Sequence, residues 1–177
     1  PDDYKKRLTD VHYLAAVVVV VEMDRPLTKY YWMNIADPDV PFLGLIEHTN
    51  MLPKEWYDGK NILYLTNYLD RTDPVYSLSQ DELLDLYLPH LTKFNPEFDR
   101  SWVKKVHYNA LSAAQPIIGT NYSKAIADHR TPVKKLYLAN TTQVYPEDRG
   151  TNYSIKMGRE LAEMIVEDEQ HGWNNWK

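Results

Sequence analysis

Five consecutive valines, Val17 to Val21, sit inside an apolar stretch that begins at Leu14. β-Branched side chains are stiff at χ1 and favour extended backbone. A continuous apolar run, unlike an alternating one, describes a strand covered on both faces. Three further extended segments follow without a helix between them: Thr28 to Ile35, Phe42 to Asn50 and Asn61 to Leu69. Arg25-Pro26, Asp37-Pro38, Pro53 and Asp58-Gly59 punctuate them as turn residues do. Strands in succession, with no long crossover, pair antiparallel.

At Ser79 the period changes. Ser79-Gln80-Asp81-Glu82 has the form of a capping box, and Leu78 and Leu83 flank it as a hydrophobic staple. Leu83, Leu84, Leu88 and Leu91 then draw an apolar helical stripe that runs to about Phe94. Pro89 must kink or split that helix, and Asn95-Pro96 stops it. Trp102 to Tyr108 and Ala114 to Thr120 are weaker strand candidates. Leu136 to Ala139 reads as a short buried strand, followed by a polar loop to Asn152. A last helix is expected from Thr151 or Asn152 to Glu167, with Ile155, Gly158, Leu161, Ala162 and Ile165 on one face. The tail from His171 to Lys177, polar apart from Trp173 and Trp176, is expected to be loosely held.

The expected fold class is α+β: a mixed, mostly antiparallel sheet with helices on one side, plus a C-terminal strand–loop–helix unit. The expected divisions are 1–135 for the sheet and helix domain, 136–168 for the strand–loop–helix and 169–177 for the tail.

Composition narrows the function. With 20 Lys+Arg against 25 Asp+Glu, net charge is -5, which argues against a surface for the nucleic-acid backbone. Cysteine is absent, so disulfides, thiolate metal sites and a cysteine nucleophile are excluded. That fits a reducing compartment, and a cytoplasmic location is expected. The longest apolar run, Leu14 to Val21, is far short of the roughly 20 residues that span a bilayer. GxGxxG, Walker, HExxH and GxSxG patterns are absent. The six histidines include no pair four residues apart, and no metal site is expected. Asp24, Asp37, Asp39, Asp70 and Asp73 read as turn formers.

Chemistry concentrates in the segment LYLANTTQVYPEDRGTNYSIKMGRELAEMI, from Leu136 to Ile165. The helix start at Gly150-Thr151-Asn152 offers free N–H groups and a positive dipole end to an electron-rich group. Gly150 permits close backbone approach or positive φ. Arg149, in the triplet Glu147-Asp148-Arg149, either orients a substrate or closes a surface ion pair. His48 and Asn50, two residues apart on an expected strand, face one way and line a cavity or pack in the sheet. Tyr30, Tyr31, Tyr64 and Tyr68 read as packing.

The same segment resembles the C-terminal flavin-binding motif of the FAD-dependent amine oxidase superfamily, in its protoporphyrinogen-oxidase-like branch. In that family a strand ending in Ala-Gly leads through a polar loop to a helix carrying a glycine. Ala139-Asn140 stands in the Ala-Gly place, and Gly158 follows Asn140 at the family's spacing of 18 residues. Upstream, Arg25-Pro26, Ile46 to Asn50, Leu63 to Leu69, the capped helix, Asn95-Pro96, Ala114-Gln115-Pro116 and His129 to Pro132 recur in order in family members. Asn140 replaces the usual Gly and tolerates the left-handed conformation better than most residues, and Thr142 replaces a common acidic residue.

The resemblance implies an enzyme in two parts, of which this chain is similar to the substrate-side part and the returning strand–helix. FAD is the implied cofactor, accepting a hydride from a C–N or C–C bond of a small-molecule substrate. Asn140, Thr141 and Thr142 are then expected near ribityl or phosphate, and Gly150, Thr151 and Asn152 near the flavin N1/O2 edge. Arg149, His48 and Asn50 are substrate-side candidates, and no catalytic residue is assigned. The missing N-terminal FAD-binding domain is an implied partner. The chain alone is therefore expected to be inactive, to bind FAD weakly and to be capable of forming a homodimer. The alternatives are a flavin-dependent nucleotide-sugar mutase similar to UDP-galactopyranose mutase and a stand-alone binding domain.

Overall fold

The valine run forms the middle of β1, Tyr13–Met23, in a computed structural model that describes residues 1–173. Residues 174–177 of the expected loose tail lie outside the described residues. The other strands are β2 (Trp32–Asn34), β3 (Gly44–Glu47), β4 (Asn61–Leu69) and β5 (Val103–Pro116), and the helices are α1 (Asp2–Thr9), α2 (Gln80–Tyr87) and α3 (Thr151–His171). Contacts divide the chain into two units, one of Tyr13–Gln115 and one of Pro1–His12 with Pro116–Lys177.

The unit from Tyr13 to Gln115 is a five-stranded sheet in the order β2-β3-β4-β1-β5. The pairs β2–β3, β3–β4 and β4–β1 are all antiparallel. Val17, Val19 and Val21 are fully buried, whereas Val18 and Val20 are half-buried. The run is thus tightly covered on one face only, which corrects the expectation of two covered faces. On the packed face these valines meet Leu45, Leu63 and Leu65 of the sheet and Leu83, Tyr87, Leu88 and Leu91 of the helical layer. Each such side chain contributes about 1.5–3 kcal/mol when removed from water. The edge-to-face contact of Phe42 with Tyr87, 5.2 Å between centroids, locks the two layers together.

The capping box is present. Ser79 Oγ accepts from Glu82 N at 3.4 Å, and Glu82 Oε2 accepts from Ser79 N at 2.9 Å. α2 ends at Tyr87, and a 3₁₀ segment, Leu88–Lys93, carries Pro89 in its first turn. The proline splits the helix where its missing N–H is not needed.

Tertiary pairing redraws the other strands. Thr28 to Ile35 pairs only over Trp32–Asn34, because side chains hold the preceding residues as a strap. Glu47 Oε1 accepts from Leu27 N at 2.6 Å, and its Oε2 accepts from Thr28 N at 2.7 Å. Asn95 Nδ2 donates to Leu27 O at 2.8 Å. Phe42 to Asn50 is a strand only over Gly44–Glu47, and His48–Asn50 is a 3₁₀ turn. The two weak candidates at 102–108 and 114–120 are joined in one strand, β5, which ends at Pro116 and leaves 117–120 outside the sheet. Asn109, Ala110, Ser112 and Ala113 have little intrinsic strand preference, and membership in the sheet overrides it.

In the other unit, α1 carries no strong apolar stripe and was not expected. It is fastened by Tyr4, whose hydroxyl donates to Asp128 O at 2.9 Å, and by Arg7, which donates to Ile126 O at 3.1 Å. Leu136 to Ala139 is not a strand but a single bridge between Arg130 and Tyr137, and Leu136 is exposed. Its partner segment offers only Leu138 N to His129 O and Thr131 N to Leu136 O. α3 runs four residues beyond Glu167. It turns Met157 and Asp168 inward while Ile155, Gly158, Ala162 and Ile165 are exposed. The buried face is therefore not the one that the apolar pattern marks. Asp168 decides it, accepting from Arg130 Nε at 2.7 Å, Arg130 Nη2 at 2.9 Å and Tyr137 OH at 2.8 Å. No described helix is long and apolar enough to cross a membrane.

Candidate functional site

The loop that follows Ala139 is shaped by its own side chains. Asn140 is extended, with φ -149°, so the left-handed conformation that asparagine tolerates is not used. Its Oδ1 accepts from Thr142 N at 2.9 Å and from Thr142 Oγ1 at 2.5 Å, while Gln143 Oε1 accepts from Asn140 N at 2.8 Å. These bonds close a capping box on the 3₁₀ turn Thr141–Gln143. Thr142 is buried, and its carbonyl accepts from Tyr122 OH at 2.7 Å. Thr141 faces solvent.

Gly150 is the N-cap of α3 with φ -106°, so the positive φ allowed by the sequence is not used. The close approach is: a Cβ at Gly150 would strike Asn152 Oδ1. Thr151 and Asn152 are exposed, and no side chain caps this end of a 21-residue helix. Its first N–H groups and the positive end of its dipole are thus available to an electron-rich partner. In the triplet, Arg149 N donates to Asp148 Oδ1 at 2.8 Å.

His48 and Asn50 do not share a strand face, because they lie in the 3₁₀ turn. Asn50 Nδ2 donates to Thr28 O and to Tyr30 O, both at 3.0 Å, and so belongs to the strap. His48 Nε2 meets Tyr57 OH at 2.6 Å, and its ring lies 5.7 Å from that of Tyr64. His48 therefore stays next to the sheet while Asn50 does not.

The register places a lateral row, Trp32–Ile46–Tyr64–Val20, across four strands on the half-exposed face. Tyr30 and Tyr68 are largely exposed, so these two are not core packing. On one side of the row lies Asn34–Gly44–Thr66–Val18, without a charge. A Cβ on Gly44 would come within 2.6 Å of Thr66 Oγ1, so glycine lets β3 and β4 keep that floor flat.

On the other side, Ile62 faces Glu22. Glu22 accepts from Lys60 Nζ at 2.7 Å and contacts His107 Nε2 at 2.8 Å. Hydrogen bonds from Lys60 and His107 hold its carboxyl down to about 2. Sequence reasoning missed this cluster, although a glutamate ending a valine run was its signal. Glu47, also missed, is fully buried at the end of β3. Burial pushes its carboxyl up, against the hydrogen bonds from Thr28 and Leu27. Among the described residues no three His, Asp or Glu gather as a metal site.

No protein-family profile and no curated protein matches the chain. Solved structures do. A protein from Exiguobacterium sp. 255-15 that has been assigned as a protoporphyrinogen oxidase aligns with 90% of this chain and 36% of its own, at 12% identity and TM-score 0.69. An oxidoreductase from Methanosarcina mazei aligns with 93% of this chain and 37% of its own, at 15% identity and TM-score 0.61. Reduced UDP-galactopyranose mutase aligns over 70% and 26%, at 14% identity and TM-score 0.53. What is shared at these identities is the fold. The chain spans little more than a third of the two oxidoreductases' length and about a quarter of the mutase's.

Proposed function

We propose that this chain is the substrate-side part of an FAD-dependent oxidoreductase similar to the amine oxidase and protoporphyrinogen oxidase group. The carrying observation is the five-stranded sheet with its helical layer on one face, aligned over 90% of the chain with the Exiguobacterium protein at TM-score 0.69. The motif resemblance from Leu136 to Ile165 supports the same reading from sequence.

The residues fit a flavin in part. The N–H groups at Gly150, Thr151 and Asn152 suit the electron-rich N1/O2 edge of an isoalloxazine, where negative charge grows on reduction. Asn140 and Thr142 bond to each other and hold the loop's shape, which leaves Thr141 as the exposed hydroxyl for ribityl or phosphate. Flavin, when bound, supplies the acceptor for a hydride. This chain's sheet would orient a small-molecule substrate and exclude water. A dinucleotide-binding part with GxGxxG would hold the pyrophosphate, so the 177-residue chain alone is expected to be inactive and to retain FAD weakly.

The test is the absorbance spectrum of the purified full-length gene product. An oxidised-flavin spectrum, with FAD released on acid treatment, is the expected result. A colourless protein that ignores added FAD would overturn the reading. The alignment with the mutase supports a second reading, sugar-nucleotide isomerisation on the same fold. A shift of that flavin spectrum on adding a UDP-sugar would favour it.

A further inference from the structure

We propose that a cavity at the C-terminal end of α3 takes a small zwitterion, an apolar body with a carboxylate at one end and an ammonium at the other. The cavity lies within the unit of Pro1–His12 with Pro116–Lys177 and measures about 600 Å³. Small-ligand pockets usually fall between about 300 and 1,000 Å³. Lys134, Lys135 and Glu169 bring both signs of charge to its lining, and Tyr137, Ile165 and Trp173 bring aromatic and apolar surface. The site owes nothing to the flavin reading. The candidate flavin edge at Gly150 is at the other end of a 21-residue helix, roughly 30 Å away at about 1.5 Å per residue.

The lysines stand on a turn built to hold them. Leu136 N donates to Val133 O at 3.0 Å and closes a turn with Lys134 and Lys135 at its centre. Thr131 Oγ1 braces it, donating to Val133 O at 3.2 Å and accepting from Val133 N at 3.1 Å. Lys135 has φ 65°, at a turn position where glycine or asparagine is usual. A side chain with a Cβ is strained there, and strain held at the rim of a cavity points to a use for that side chain. The acidic side is arranged differently. Asp168 is engaged by Arg130 and Tyr137, which fixes the tyrosine and leaves Glu169 as the carboxylate for a ligand. Gly172, with φ 87°, ends α3 without a capping backbone bond among the described residues, so the negative end of the helix dipole adds to Glu169. Trp173 Nε1 is buried and has no hydrogen-bond partner among the described residues, a donor that suits a carbonyl or carboxylate. Lys134, Lys135 and Glu169 make no ion pair and no side-chain hydrogen bond among the described residues. A simple anion would meet Glu169 unfavourably, and a simple cation would meet the lysines unfavourably. A molecule carrying both charges satisfies each by a charge-assisted hydrogen bond, and the aromatic lining suits an apolar body.

Calorimetry on the full-length gene product tests this with the dipeptide alanylphenylalanine, its N-acetyl form, which lacks the ammonium, and its C-terminal amide, which lacks the carboxylate. The dipeptide should bind about tenfold more tightly than either single-charge form at low salt. Lys134→Gln with Lys135→Gln should remove its advantage over the amide, and Glu169→Gln its advantage over the N-acetyl form. All three positions are exposed, so these variants should fold, and thermal midpoints check that they do. Lys135→Gly separates a working lysine from a merely structural one. It lifts the left-handed strain and should raise the thermal midpoint while weakening the dipeptide about tenfold. A raised midpoint with unchanged affinity would overturn the proposal. So would equal affinities for the three forms, no saturable binding, or tight binding that none of the variants alters. Free phenylalanine identifies the source: binding tighter than the dipeptide's supports the site with an amino acid as its occupant, and weaker binding supports it with a short peptide.

Discussion

The unit from Tyr13 to Gln115 and the unit formed by Pro1–His12 with Pro116–Lys177 are held together by different forces. In the first, alternate residues of β1 and β4 meet Leu83, Tyr87 and Leu91 in one apolar core. In the second, the described residues bury Tyr4, Tyr122, Ala127, Val144 and Met157 among their apolar side chains, and directional bonds carry much of the structure. Tyr4 reaches Asp128 O, Arg7 reaches Ile126 O, Tyr122 reaches Thr142 O and Gln143 Nε2 reaches Ala127 O at 3.0 Å. Apolar burial is non-directional and scales with area. A polar network depends on single atoms, and a half-broken one leaves buried groups unsatisfied. The candidate cofactor loop lies in the second kind of structure and the candidate substrate face on the first.

Truncating the first core should cost most. Leu63→Ala removes a fully buried side chain between the sheet and α2 and should lower stability by about 2–5 kcal/mol in urea denaturation. A loss below ~1 kcal/mol would mean that the sheet is not organised by this core. In the other unit, Asp168→Ala strands Arg130 and Tyr137 and should cost about 2–3 kcal/mol. Hydrogen exchange should show that loss concentrated in α3. If the variant matched the wild type there, the contrast between the units would collapse. Ser79→Ala removes one half of the capping box and should cost about 1 kcal/mol, again by urea titration.

Two carboxylates sharpen the contrast through pH. Glu22 in the folded chain sits near 2, below its ordinary 4.5. Its contribution is therefore present above 4.5 and lost as pH falls from 4.5 towards 2. Glu47 is raised above 4.5, so its contribution is present below 4.5 and lost as pH rises through its folded value. Glu22→Gln should flatten the acid limb of the stability profile, and Glu47→Gln should flatten the limb above 4.5. Profiles unchanged by both substitutions would contradict these assignments. The smallest effect belongs to Ile155→Ala. That side chain is 69% exposed on α3, and the thermal midpoint should stay within the effect of about 0.5 kcal/mol.

Elements with a strong local signal were legible. β4 begins at Asn61 and ends at Leu69 as its apolar run does, and the Ser79–Glu82 box starts α2 with both of its bonds made. The antiparallel sheet with its helical layer on one face follows from strands in succession and from the capped leucine stripe. At the candidate site, the uncapped start of α3 at Gly150 was legible from glycine followed by a long helical pattern. The conformations of Asn140, His48 and Asn50 were not. Each is set by partners far along the chain or by a local cap that outcompetes the strand: Gln143, Tyr57 and the carbonyls of Thr28 and Tyr30.

Sequence by itself determined where backbone must extend, where a helix must start and where proline must end it, because those choices rest on a few neighbouring residues. Tertiary structure alone decided which face of each element is buried. The even-numbered valines are half-exposed because the helical layer covers only the odd-numbered side. α3 hides Met157 and Asp168 and exposes Ile155, and the partners that receive Asp168, Arg130 and Tyr137, lie far back along the chain. Burial belongs to a pair of surfaces, and a one-dimensional pattern describes only one of them.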